Sequence, residues 1–354
     1  MIPLVQILRG GLLESVHHGS VAIADADGRL LAFAGSPDHS TFLRSAAKPF
    51  QALPLLRAGA EEAYELTSAE IALICASHGG EPHHVATAAA ILRREELDES
   101  DLRCAAHPPL DERAAAELRL TGETPSPLHN NCSGKHAGML LACALRDDPL
   151  NSYLDPHHPL QIEILRALEA FSGVEAGSIG IGIDGCGAPT FHLSLHRAAV
   201  AWARLSEIAS GGDTGVDLST YRDPARAVVE AMTARPDMVA GAWSVTTPLM
   251  QAFEGNLVGK EGAEGIYGIA FLGPLQKRLA EVFGLSAPRG IGLVLKIAGG
   301  AIRARVPAVF RCLEELGIDV PRTEALRRWT DPILRNAAGT EVGEVRTDFR
   351  LAFL

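Results

Sequence analysis

Residues 21–35, VAIADADGRLLAFAG, alternate as a half-buried strand does, break at Asp27-Gly28 and then resume. This is the pattern of a β-hairpin. Far along the chain, GIYGIAF (265–271) and GIGLVLKIAGGAIRARV (290–306) carry a similar strand signature. Between these ends the period is helical. SAAKPFQALPLLRAGA (45–60) predicts a helix beginning near Ser45, with Pro49 in its first turn where no intrahelical hydrogen bond is lost. AEIALICASHGG (69–80) predicts a helix ending just after Ser77-His78. HHVATAAAILRREEL (83–97), HNNCSGKHAGMLLACAL (129–145), PLQIEILRALEAFSG (159–173), AAVAWARLSEIA (198–209) and DPARAVVEAMTA (223–234) predict further helices. So do VPAVFRCLEELG (306–317) and EALRRWTDPILRNA (324–337). IGIGIDGCGAPTFHLSL (179–195) reads as a glycine-rich strand and turn, and SGGDTGVDLSTYRDP (210–224) as a flexible connection. Strands at both ends with helices between them predict a mixed α/β protein, its mixed sheet built from both termini and flanked by helices.

Composition narrows the function classes. The 354 residues are 47% hydrophobic and carry a formal net charge of −11, enough apolar content for a large core and the wrong charge for a general nucleic-acid binder. The N-terminal stretch lacks a basic region followed by a long apolar run, and no stretch is long and apolar enough to predict a membrane span. A cytoplasmic protein is expected. Six cysteines without a CxxC pair suit buried thiols in a reducing compartment.

Lysine usage is more informative. Of 32 basic Lys and Arg residues only five are lysine: Lys48, Lys135, Lys260, Lys277 and Lys296. Lysine can lose its proton or ligate a metal where arginine cannot. Coding bias accounts for the scarcity of lysine, but not for its placement. Lys277 and Lys296 sit in ordinary helical and strand settings, whereas the other three fall in serine- or glycine-rich motifs.

Five motifs can carry chemistry. Ser45-Ala46-Ala47-Lys48 places a hydroxyl and an amine on one helix face. Alone this is a weak signal, because roughly one Ser-x-x-Lys is expected by chance in a chain of this length. Ser77-His78-Gly79-Gly80 reads as a helix end that can also approach a ligand. Asn130-Asn131-Cys132-Ser133-Gly134-Lys135-His136 puts seven polar or small residues before an apolar helix, where a simple cap needs one. Asp184-Gly185-Cys186-Gly187 fixes a carboxylate and a thiol at a strand end, and Cys132 with Cys186 could bind a borderline metal if the fold brings them together. Finally, Lys260 lies between glycines in VGKEGAEG (258–265).

Taken in order, RSAAKPFQALP, CASHGGEPHHV, LHNNCSGKHAGML, DGCGAPTF and VGKEGAEGIYG resemble the asparaginase II family of inducible rhizobial-type L-asparaginases, over about residues 4–305. The resemblance implies a single catalytic domain over residues 1–354, with a helical subdomain near residues 60–240, and a fold similar to serine β-lactamases and glutaminases. It implies a homodimer that hydrolyses L-asparagine to L-aspartate and ammonia. It also implies two catalytic Ser–Lys pairs, Ser45 with Lys48 and Ser77 with Lys260. Arg44, His78, His136 and Asp184 are implied as substrate-binding residues. Cys132, Lys135 and Cys186 are implied as ligands of one zinc per chain, to which no chemical step is assigned. Two segments depart from the family pattern: Trp243-Ser244-Val245-Thr246-Thr247, where an Arg-x-Asp-Thr segment is expected, and Gly299, where an acidic residue is common.

On this reading a neutral Lys48 takes the Ser45 proton, Ser45 attacks the side-chain amide, and the second pair relays a proton to ammonia. Lowering a lysine pKa from about 10.4 to about 7.5 needs roughly 4 kcal/mol of differential destabilisation of the charged form. Three alternatives stand beside it. A penicillin-binding or β-lactamase-like acyltransferase should show a Lys-Thr-Gly strand, and none occurs. A Cys132–His136 thiol amidase would use a nucleophile better suited to metal binding. A non-catalytic, zinc-dependent amino-acid-binding protein would have no need of two Ser–Lys pairs.

Overall fold

The computed structural model describes residues 1–287 and 289–354. The described residues form twelve strands: β1 (Ile2–Arg9), β2 (Leu12–Asp25), β3 (Leu30–Ala34), β4 (Ser40–Phe42), β5 (Gly180–Ile183), β6 (Pro189–Ser194), β7 (Leu257–Gly262), β8 (Ile266–Phe271), β9 (Ile291–Ile297), β10 (Ile333–Arg335), β11 (Glu341–Thr347) and β12 (Ala352–Phe353). As expected, the main sheet is built from both termini, in the order β10-β11-β1-β2-β9-β8-β7, with β3 and then β12 attached along β2. Every strand pairing among the described residues is antiparallel. The predicted hairpin is β2–β3, and its turn glycine, Gly28, has φ +95° in the left-handed region that favours glycine. A small second sheet, β4-β6-β5, stands apart.

β7, β8 and β9 are buried on both faces, and the helix Leu195–Ala209 lies across β8 and β9. Glycines make that contact possible. A Cβ on Gly268 would come within 2.3 Å of the Trp202 ring, and one on Gly292 within 2.2 Å of the Ala199 carbonyl. Trp202 in turn meets Phe50 edge-on, tying the helical layer to the segment after Ser45. Gly268 and Gly292 therefore serve helix–sheet packing.

Three sequence expectations shift. The stretch 290–306 is not all strand: β9 stops at Ile297, Gly300 turns at φ +71°, and Ile302–Glu315 is one helix with Pro307 inside it. The last predicted helix shrinks to short turns at Glu324–Leu326 and Arg327–Thr330. Pro332 follows, and Ile333–Arg335 pairs as β10. The helix expected to run past Ser77 is Ser68–Ile74, started by a Thr67/Glu70 capping box. Beyond it the backbone bonds elsewhere, so Ser77 sits in an extended loop. No helix of the described residues is long and apolar enough to cross a membrane.

Candidate active site

Five segments converge at the β7 edge of the sheet. The first is the turn after β4. Arg44 has φ +48°, a costly conformation for a residue with a side chain, and Arg44–Ala47 then forms a 3-10 turn leading into Lys48–Gln51. β7 presses against this turn: a Cβ on Gly262 would lie 2.8 Å from the Leu43 carbonyl and 3.2 Å from the Ala46 nitrogen. Only glycine fits there without a shift, so strand and turn hold each other in place.

The Ser77 loop is held from three sides. The Ser77 N–H donates to Val239 O (3.0 Å), and the His78 N–H donates to Asn131 O (3.2 Å). The Trp243 indole N–H donates to Ser77 O (3.3 Å) and to Ala240 O (3.0 Å). The divergent segment 243–247 thus backs the loop that carries Ser77.

The two lysines do not divide between the two serines as expected. Lys260, on β7, donates to the Glu261 carbonyl (2.9 Å) and meets Ser77 Oγ at 2.8 Å. Lys48 also turns to Ser77 Oγ (3.1 Å), with its other contacts to the carbonyls of Ala76 and Asn131. Ser45 Oγ makes no hydrogen bond among the described residues. The predicted Ser77–Lys260 pair is formed, while the Ser45–Lys48 pair is not closed by a hydrogen bond. Residues i and i+3 of a 3-10 turn do eclipse, but the Lys48 amine is drawn to acceptors on the neighbouring loops. Ser45 is 9% exposed and Ser77 3%, so Ser45 is the more reachable hydroxyl. Burial first, then the nearby Lys48 charge, lowers the Lys260 pKa to about 7.

The seven-residue polar run divides its labour. Asn130 shapes the loop, accepting from the Cys132 N–H (2.9 Å) and donating to Ala105 O (2.6 Å). Ser133 Oγ donates to Leu128 O (2.9 Å). Lys135 and His136 lie in the first turn of the helix Ser133–Leu145. His78 has both ring nitrogens engaged: Nδ1 accepts from the Gly80 N–H (3.1 Å), so Nε2 donates to Ser133 Oγ (2.9 Å). It is fully buried, and burial pushes its pKa well below the usual histidine range. This places it as a brace between two loops, with no ring nitrogen left for the substrate contact expected of it.

His136 differs. Tyr153, whose hydroxyl accepts from the Arg103 N–H (2.9 Å), donates to His136 Nδ1 (2.7 Å). Nε2 then carries the proton, and it is buried without a partner among the described residues. Burial, then the Lys135 charge, lowers the His136 pKa to about 3, so the ring stays neutral. The site has an unmet N–H donor.

The turn between β5 and β6 supplies the remaining groups. Asp184 Oδ1 receives Arg44 Nε (2.8 Å) and Nη2 (2.7 Å). Burial alone would raise the Asp184 pKa, but the Arg44 hydrogen bond and the Lys135 charge outweigh it and keep the carboxylate ionised. Cys186 Sγ lies 3.0 Å from Lys135 Nζ. The neighbouring Cys132 thiol, then the Lys135 charge, lowers the Cys186 pKa to about 4, while Cys186 and burial push Cys132 up to about 12. The Cys132 thiol itself donates to Asn131 Oδ1 (3.6 Å). Cys104 lies close enough for Cys132 and Cys186 to add to the rise of its pKa. No cluster of three or more His, Cys, Asp or Glu side chains among the described residues could hold a metal. A cation here would therefore need the Lys135 amine as third donor beside two sulfurs. Two sulfurs and an amine that had given up its proton would suit a borderline cation such as zinc.

Tyr153 and Cys104 lie in segments without a motif, and Trp243 was marked only as part of a departure from the family pattern.

A buried hydroxyl between two lysine amines, an ion-paired carboxylate and a thiolate–ammonium pair thus lie together on an α/β scaffold. A family model described as L-asparaginase II matches residues 5–347. The chain belongs to that family and is an amidohydrolase. No curated protein matches it. Among solved structures, Mglu in its native form is 14% identical, with TM-score 0.42, over 87% of this chain and 67% of its own. Mglu in its glutamate form is 14% identical, with TM-score 0.44, over 87% of this chain and 63% of its own. A Bacillus glutaminase is 11% identical, with TM-score 0.38, over 86% and 92%. The chain thus spans about two thirds of the length of Mglu.

Proposed function

We propose that the protein hydrolyses the side-chain amide of L-asparagine, with Ser45 as nucleophile and Ser77 as the proton bridge between Lys48 and Lys260. The observation that carries this reading is the Ser77 hydroxyl held 3.1 Å from one amine and 2.8 Å from the other, together with a less buried Ser45 that has no hydrogen-bond partner for its hydroxyl among the described residues. Lys48 releases its longest contact, to Asn131 O at 3.4 Å, and turns to Ser45. Neutral Lys260 takes the Ser77 proton and Ser77 takes one from the Lys48 ammonium, which leaves Lys48 a lone pair for the Ser45 proton as Ser45 Oγ bonds to the amide carbon. Lys48 then protonates the amide nitrogen as the C–N bond breaks, releasing ammonia, and recovers through Ser77 the proton held by Lys260. Water then attacks the β-aspartyl ester, giving aspartate and free Ser45.

Asp184 and Arg44 suit the substrate α-ammonium and α-carboxylate, and the Nε2–H of His136 suits a substrate oxygen. Cys132, Lys135 and Cys186 would hold a zinc ion, which would supply positive charge to the pocket once Lys135 gives up its proton. The same reading takes the protein as a cytoplasmic homodimer.

A second reading makes Ser77 the nucleophile, because it already bonds its base. Ammonia release from asparagine and from glutamine, measured for wild type, Ser45→Ala and Ser77→Ala, decides between them. The proposal expects asparagine turnover that vanishes in Ser45→Ala and survives weakly in Ser77→Ala. The reverse ranking selects Ser77, and a wild type inactive on both amides removes the functional reading.

A further inference from the structure

Next to Lys260, Glu261 turns inward as well. Its carboxylate pairs with Arg305, from the first turn of the helix Ile302–Glu315, and both side chains are buried. Arg305 Nη1 also donates to the Gly262 carbonyl at 3.1 Å. One guanidinium thus grips the end of β7, where Lys260 bonds the Glu261 carbonyl and Gly262 abuts the Ser45 turn. The pair is incompletely satisfied: Glu261 Oε1 and Arg305 Nε have no partner among the described residues. Buried ion pairs of this kind are poor sources of stability, and replacement by apolar groups is often neutral or stabilising. Fold stability is therefore a weak reason for this pair.

We propose that Arg305 is a positioning residue for the amidase reaction, cancelling the Glu261 charge beside Lys260 and clamping the β7 end against the Ser45 turn, so that Lys260 can act as proton acceptor. This rests on the reading of Lys260 given above. The charged and titratable groups around Lys260 are Lys48, Glu261, Arg305, Cys132 and Cys75, with Tyr267 across the β7–β8 pair facing Glu261. The two thiols and the phenol have pKa values raised by burial or hydrogen bonding and stay neutral. Glu261 favours the charged form of Lys260, whereas Lys48 and Arg305 disfavour it. With Glu261 and Arg305 offsetting one another, burial and Lys48 decide the outcome.

The test is the pH dependence of kcat/KM for asparagine in Glu261→Gln, Arg305→Met, the double variant and Arg305→Lys, each checked for folding by circular dichroism. Removing Glu261 leaves an unmatched positive charge, so the rising limb should move to lower pH by about one unit. Removing Arg305 leaves an unmatched carboxylate, so the limb should move to higher pH. The double variant should return towards wild type, and Arg305→Lys should leave the limb in place. If Arg305→Met does not fold, the downward shift in Glu261→Gln must still appear. A residue that only supports the fold lowers activity without moving the limb. A wild-type limb that no variant moves, or that both single variants move the same way, overturns the role of the pair. A wild type without a rising limb near neutral pH overturns Lys260 as acceptor, and the proposal with it.

Discussion

Lys260 and Lys135 are both enclosed lysines in one pocket, and their surroundings drive them in opposite directions. Burial opposes the charge on each. Around Lys260 the neighbouring Lys48 charge adds to that effect, and the amine loses its proton near pH 7. Around Lys135 the Cys186 thiolate at 3.0 Å, then Cys132, outweighs burial and raises the pKa above the usual lysine value. Burial sets a common penalty, and the nearest charged neighbour decides the sign. One lysine is suited to accept a proton near neutrality. The other is half of an ion pair, which on the proposed reading surrenders its proton when a cation takes its place.

The largest expected effect lies at the Lys260 end. Ser45→Ala should lower kcat for asparagine by at least about a thousandfold, as loss of a nucleophile does in other serine enzymes. Its melting temperature should stay within about 3 °C of wild type, because the hydroxyl makes no hydrogen bond among the described residues. Next comes Lys260 itself. Lys260→Arg and Lys260→Met should each cost about a hundredfold or more, since arginine keeps the charge but cannot become a neutral base at working pH. An active Lys260→Arg would erase the contrast by showing that charge alone is needed.

At the Lys135 end the first readout is metal. Zinc bound per chain, measured by elemental analysis, should fall steeply in Cys186→Ser and in Lys135→Arg, with activity down by about tenfold. Full zinc content in either variant would mean that the sulfur–amine cluster is only an ion pair. The smallest effect belongs to the support behind Ser77. Trp243→Phe loses an N–H donor to the Ser77 carbonyl, worth about 1 kcal/mol, and should lower kcat a few-fold with little change in KM.

Much of this site was legible because its chemistry is concentrated in short motifs. Rare lysines in polar settings marked Lys48, Lys135 and Lys260, and the Asp184-Gly185-Cys186-Gly187 turn marked a carboxylate and a thiol. The strands at the two termini could be read from alternation, and they do meet in one sheet. What sequence could not supply was the choice among acceptors. Ser-x-x-Lys spacing brings Ser45 and Lys48 to one side of a turn, but the Ala76 and Asn131 carbonyls, brought in by distant loops, claim the amine. The family resemblance implied His78 as a substrate-binding residue, yet both of its nitrogens are committed to loop bracing. The roles of Gly262 and Gly268 were not read from the sequence; packing against the Ser45 turn and Trp202 explains them. Tyr153, Trp243 and Arg305 act through contacts made across the fold, which no local pattern encodes.

The most direct test of the account is to trap the acyl-enzyme. Enzyme mixed with excess asparagine should be quenched in acid within one turnover and digested, and its peptides mapped by mass spectrometry. The account predicts a β-aspartyl ester on Ser45, absent in Ser45→Ala and accumulating more slowly as pH falls below about 7, where Lys260 holds its proton. An ester on Ser77 or a thioester on Cys132 would contradict it, as would asparagine turnover with no covalent adduct at any pH.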